Sequence, residues 1–200
     1  TGFADYRRAW LIAGTAASLL PFAMPDALSL ILPRASAIER GAHVRLVFTY
    51  LAVIGASAGF CTFWALSMAG AQTAPFARAA LIGLFVALWV PGVLLDYLPV
   101  ADERGDWQAK RIMVLAVFRT VLTGWAVLTW NELDPVLACL SAVSAMRLAV
   151  VAIYAQQRHG WLGARVRRQD WRRHIDVAAP MGLNDTLSTL RRQGDQQRRA

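Results

Sequence analysis

The sequence predicts an all-α bundle of transmembrane helices, a polytopic fold with five spans plus the start of a sixth. Three observations carry this expectation. Apolar residues make up 56% of the 200-residue chain and charged residues only 17%, a balance too greasy for a typical soluble domain. Five apolar runs are long enough, at about 1.5 Å per helical residue, to cross a hydrocarbon core about 30 Å thick. The basic residues fall in alternate gaps between those runs, as they do when short Lys- and Arg-rich loops stay in the cytoplasm.

In chain order the predicted spans are residues 9–32, 46–71, 77–99, 112–130 and 135–154. The first contains Pro21 and Pro25 with Asp26, and the third contains Pro91 with Gly92. A proline inside a helix frees a carbonyl that protein or water must satisfy, so all three prolines are expected to mark helix breaks. Gly55 and Gly59 in the second span have the small-xxx-small spacing that lets two backbones approach. A sixth run, 177–190, is cut off by Arg191 and Arg192 and reads as the start of a further helix. The expected organisation is a transmembrane bundle over 1–155, a basic amphipathic cytoplasmic connector over 156–176, and the start of a helix with a polar tail over 177–200.

The gaps set the expected orientation. Gap 33–45 carries Arg34, Arg40 and Arg45; gap 100–111 carries Arg104, Lys110 and Arg111; gap 155–174 carries Arg158, Arg165, Arg167, Arg168, Arg172 and Arg173. Gaps 72–76 and 131–134 carry no basic residue, and the second has Glu132 and Asp134. This alternation puts the first residue outside the cytoplasm, in a multi-pass protein of the bacterial inner membrane. It also assigns the net charge of +8 to loops, which argues against a nucleic-acid partner. Tyr6, Trp10, Trp125 and Trp130 are expected as anchors at the outer interface and Trp107 at the inner one, with Trp64 and Trp89 as packing residues. In the connector, Trp161, Val166 and Trp171 alternate with arginines, the pattern of a helix lying on an anionic leaflet. Trp161, Arg165, Arg167, Arg168 and Trp171 are its predicted contacts with membrane lipids.

No paired-carboxylate, HExxH, metal-ligand or phosphate-loop motif occurs, so neither catalysis nor a metal or cofactor is expected. His43, His159 and His174 lie in basic gaps and are expected to be solvated; Cys61 and Cys139 read as buried thiols. Ionisable groups inside spans are more informative, because each costs about 2.5–3.5 kcal/mol on insertion scales and so tends to face a cavity or a partner. Arg119 and Arg147 lie at similar depth on adjacent predicted helices, where two guanidinium forks could hold an anionic substrate. Asp96 could neutralise one of them, and Arg78, close to the outer surface, is a candidate gate.

The order of these features resembles the polysaccharide flippases, the oligosaccharidyl-lipid branch of the multidrug and polysaccharide exporter superfamily. Residues 4–34, ADYRRAWLIAGTAASLLPFAMPDALSLILPR, look like the second span of that family, where a tyrosine leads into an apolar helix that ends in a leucine-proline-arginine turn. Residues 171–195, WRRHIDVAAPMGLNDTLSTLRRQGD, are similar to the beginning of its seventh helix. The resemblance implies a transporter that moves a sugar carried on polyprenyl pyrophosphate outward for polysaccharide or lipopolysaccharide biosynthesis. It also implies a cavity lined by basic residues, for which Arg119 and Arg147 are the candidates here. Such transporters have roughly twelve to fourteen spans in two related halves that rock against each other. Only the first half is legible, without its first helix, so the missing half or polysaccharide-assembly proteins are expected partners. The polar residues 193–200, QGDQQRRA, suggest a truncated frame or an excised fragment. Three other classes stay open: a membrane-embedded glycan-assembly enzyme using Asp102, Glu103 or Asp106 as a base, a non-transporting oligomeric partner, and a drug or cation antiporter.

Overall fold

A computed structural model of the chain describes the backbone of residues 2–69, 76–130 and 132–197. Most of the predicted non-basic gap 72–76, Asn131 and the side chains of Tyr6, Arg191, Arg192 and the polar tail lie outside the described residues. All described elements are helical: α1 (Gly2–Leu19), α2 (Ala27–Ile31), a 3-10 turn (Leu32–Arg34), α3 (Ala37–Ala69), α4 (Phe76–Gly92), α5 (Leu94–Ala101), α6 (Gly105–Trp130), α7 (Leu133–His159) and α8 (Arg168–Gln197). Among them, four stretches are long and apolar enough to cross a bilayer: Glu39–Met68, Phe76–Ala101, Gly105–Trp130 and Leu133–His159.

The first predicted span is not one rod. Pro21 and Pro25 lack the N–H groups that would continue α1, and Phe22 and Ala23 between them adopt left-handed φ values of 44° and 55°. For residues with a Cβ this conformation costs about 1–2 kcal/mol each, which marks the knuckle between α1 and α2 as held from outside. Local bonds from Met24 N to Pro21 O (2.9 Å) and from Leu28 N to Pro25 O (3.1 Å) then start α2.

Helices α3, α4, α6 and α7 begin before their apolar runs, and α5 and α7 end beyond theirs, with capping groups carrying several ends into polar sequence. Ser36 and Glu39 form a reciprocal capping box at the start of α3: Ser36 N donates to Glu39 Oε2 at 2.9 Å, and Glu39 N donates to Ser36 Oγ at 3.4 Å. Gly160, at φ 57°, closes α7, a left-handed cap that glycine adopts without strain. Arg167 N donates to Asp170 Oδ2 at 2.7 Å and starts α8. The connector 156–176 is therefore the last turn of α7, a non-helical stretch at 160–167 and the first turns of α8, instead of a single amphipathic helix.

At the centre of the bundle, α4 packs against α3, α7 and α1. Its closest approach is to α3, where the predicted small-residue spacing meets a third glycine. A Cβ on Gly59 would lie 2.5 Å from Gly83 O, and one on Gly55 would lie 2.8 Å from Ala87 O, so only glycine lets these backbones touch. Leu28, Leu46, Leu51, Leu94, Leu95 and Leu98 form a buried core toward one end. Ala13, Phe85, Val86, Leu137 and Leu140 form a second. Helix α6 stands apart: 11% of its most apolar window is buried, against 61% for the α4–α5 stretch. Contacts among the three basic gaps gather them at one end of the bundle. There Arg45 Nη1 donates to Leu162 O (3.1 Å) and Ala164 O (2.6 Å), and a Cβ on Gly41 would meet His159 O.

Candidate anion site among the spans

The break between α4 and α5 creates the site. Around it the chain tightens into short bonds, Val93 N to Val90 O (3.2 Å) and Asp96 N to Val93 O (2.8 Å). Gly92 O thereby loses its ordinary helical donor, and Arg147 Nε of α7 takes that place at 3.0 Å. Glycine is what admits the arginine stem, since a Cβ on Gly92 would already touch Arg147 Cδ at 3.4 Å. The same guanidinium donates through Nη2 to the Asp96 carboxylate, two residues into α5 from its start. A carbonyl freed by a proline-glycine break thus fixes the position of an intramembrane cation.

Aromatic rings complete the arrangement. The Arg147 guanidinium carbon lies 4.7 Å from the centroid of Trp89, and that of Arg119 lies 5.1 Å from the centroid of Trp10. Trp10 and Trp89 are themselves packed edge to face, with centroids 5.1 Å apart. Each arginine therefore rests on one indole of a touching pair, the geometry of a cation-π contact. Arg119 makes no ion pair among the described residues. Trp89, Asp96, Arg119 and Arg147 line a cleft of about 160 Å³ whose apolar wall includes Leu115 and Val143. Two guanidinium groups face one carboxylate there, which leaves a net charge of one positive unit. Such a cleft favours an anion, with Arg119 as the cation free to meet it.

Arg78 lies elsewhere. Its Nε donates to Asp134 Oδ1 at 2.7 Å, tying the first turn of α4 to the first turn of α7. Of the predicted breaks, Pro91 sits beside the cleft, whereas Pro21 and Pro25 shape the α1–α2 knuckle. In the connector the indoles turn inward: Trp161 packs on Phe48 at 4.3 Å and donates Nε1 to Ala152 O at 3.2 Å, and Trp171 meets Tyr50 at 6.4 Å. Arg165, Arg167 and Arg168 are exposed.

Several sequence expectations are corrected. The histidines are buried, not solvated: His43 and His174 are 1% and 0% exposed, and His159 Nε2 lies 2.9 Å from Asp102 Oδ2 with both side chains buried. Their gaps are loops in hydropathy only; in space they are helix ends pressed together. Asp102 also accepts the Tyr154 hydroxyl at 2.8 Å. Burial raises its carboxyl, but the bonds from His159 and Tyr154 outweigh this and hold it below the usual carboxylate range. It lines no part of the cleft. Cys61 is exposed on α3, on a face of the apolar run turned away from the core. Trp10 is packed within the bundle against Phe85 and Trp89, because the knuckle folds α1 onto α4.

Trp10 and Trp89 are the site residues that sequence reading missed. Hydropathy places a tryptophan in a span but not the azimuth that turns its ring toward an arginine on another helix. No protein family model matches the sequence, and no match was found among curated proteins or solved structures.

Proposed function

We propose that this chain is part of a membrane flippase that moves a polyprenyl-pyrophosphate-linked oligosaccharide outward across the bacterial inner membrane, in polysaccharide or lipopolysaccharide biosynthesis. One observation carries the reading: Arg119 and Arg147 converge from α6 and α7 on a single cleft at span depth, with one carboxylate between them. A cation kept in lipid needs a reason. Arg147 is compensated by Asp96, and Arg119 is the charge left to engage a phosphate oxygen through its planar fork. Ile112, Leu115 and Val143 offer the apolar wall on which sugar rings and isoprenoid chains pack.

The thinly covered α6 supports the same reading, because a further bundle of helices rocking against it would close the cleft and expose it in turn. On this view the basic ends of α3, α5 and α7 face the cytoplasm. The turn is made without covalent chemistry. In the native host, Arg119→Gln and Arg147→Ala are each expected to abolish surface polysaccharide while the chain still inserts into the membrane. Export at the parental level in both variants rejects the assignment.

A further inference from the structure

A second cluster of cations lies away from the cleft. Between the inner end of α3 and the start of α8, a crevice of about 520 Å³ is lined by Arg45, Thr49, Arg165, Val166 and Trp171. No carboxylate lines it. Arg45 donates through Nη1 to the carbonyls of Leu162 and Ala164, so its guanidinium is held in place while its Nε and Nη2 make no hydrogen bond among the described residues. Arg165 is exposed and makes no ion pair or hydrogen bond among the described residues. Thr49 Oγ1 is also unengaged among the described residues, whereas Thr62, Thr120, Thr123 and Thr129 all return their hydroxyls to carbonyls one turn back.

Depth identifies the ligand. The span Glu39–Met68 has 30 residues, or about 45 Å of helix, against a hydrocarbon core of about 30 Å. About 7 Å at each end therefore lies at headgroup level, and Arg45, six residues from the start of that span, stands at the boundary. Thr49 is one turn deeper, within the edge of the hydrocarbon, and the Trp171 indole supplies the amphipathic wall common near this boundary. We infer that this crevice is a binding site for the phosphate of one anionic phospholipid, held by Arg45 and Arg165 with Thr49 beneath. The site is independent of the sugar-lipid cleft, since the two share no residue.

The full chain, purified in a non-ionic detergent and titrated with phosphatidylglycerol, is expected to retain one tightly bound lipid in native mass spectrometry. Arg165→Gln weakens that adduct about fivefold, the loss of about 1 kcal/mol for one arginine near an anionic headgroup. Arg165 has no ion pair or hydrogen bond among the described residues, so this variant is expected to fold. Arg104→Gln removes an equal charge from an exposed position at the same end of the bundle and leaves the adduct unchanged. Phosphatidylcholine does not substitute, and excess inorganic phosphate does not displace the lipid. Equal weakening by Arg165→Gln and Arg104→Gln overturns the site in favour of a diffuse basic surface. Equal binding of phosphatidylcholine overturns the charge recognition, and displacement by inorganic phosphate overturns the lipid as the ligand.

Discussion

Acidification is expected to release α8 from the bundle. His174 sits at the docking surface of that helix, fully buried, with Nε2 2.8 Å from Met24 O in the left-handed knuckle. Its ring lies 5.6 Å from that of His43, and His174 Nδ1 and both nitrogens of His43 have no hydrogen-bond partner among the described residues. Asp170 and Arg173 from α8 and Glu39 from α3 are the charged groups that face the pair. Burial pushes the His174 imidazole down to about 4 from 6.5, with the bond to Met24 opposing and His43 reinforcing the shift. Undocked, the imidazole returns to its ordinary value.

Between pH 6.5 and 4 the undocked form thus binds a proton that the docked form refuses. Stability rises with pH across that window and is lost as pH falls through it; below 4 both forms are protonated and the loss is complete. The size of the effect is on the order of 3 kcal/mol at pH 4 and about 2 kcal/mol at pH 5. That loss acts on a helix start also docked by Trp171 against Tyr50, by buried Ala178 and by Gly182 against Phe22, where an added Cβ would lie 3.1 Å from the ring. Backbone hydrogen exchange over residues 171–182, corrected for intrinsic rates and followed from pH 7 to 5 in detergent, reads the release directly. His174→Gln keeps a donor for Met24 O but does not titrate, so it removes the larger part of the acid step and leaves only that of His43, which burial also pushes down. Protection that stays constant over the window in the parent, or falls equally in His174→Gln, refutes the reasoning.

Two further outcomes test the packing and the site. Gly59→Leu forces side-chain atoms into Gly83 O and Ala87 Cβ, 2.5 and 2.7 Å from the new Cβ. It is expected to destabilise the bundle by about 1–3 kcal/mol, seen as a lower melting temperature in detergent, whereas Gly124→Leu, with open space around it, leaves the melting temperature unchanged. Asp96→Asn and Arg147→Ala are expected to be non-additive, with a coupling of about 0.5–3 kcal/mol in a double-mutant cycle; the lower half of that range is favoured because the Asp96 side chain is 40% exposed. Additive effects would separate the two residues and dissolve the cleft as a unit.

Much of the architecture was legible in the chain. Long apolar runs become helices of membrane-crossing length because no other backbone arrangement satisfies its own polar groups in lipid, and this holds for α3, α4–α5, α6 and α7 without reference to their neighbours. Gly55 and Gly59 announced a close backbone contact for a similar reason: a missing side chain is a local fact. Ionisable groups such as Arg119, Arg147 and Asp96 stood out because their cost in lipid is a property of each residue alone. Cap positions were legible in principle, since Ser36 and Glu39 have capping-box spacing, but apolar counting stops at the last greasy residue and cut α3 short by nine residues, from Leu46 back to Ala37.

Only the tertiary structure decided which of those residues meet. Hydropathy along a chain contains depth but not azimuth, so it could not place Arg119 on Trp10, Arg147 on Trp89, or Arg78 on Asp134. Nor could it show that His43 and His174, 131 positions apart, would be sealed side by side beneath a strained knuckle. Those pairings depend on how Pro91 and Gly92 tighten the chain and on how closely Gly59 lets α3 approach α4. Such angles arise from packing between helices, and a one-dimensional pattern does not contain them.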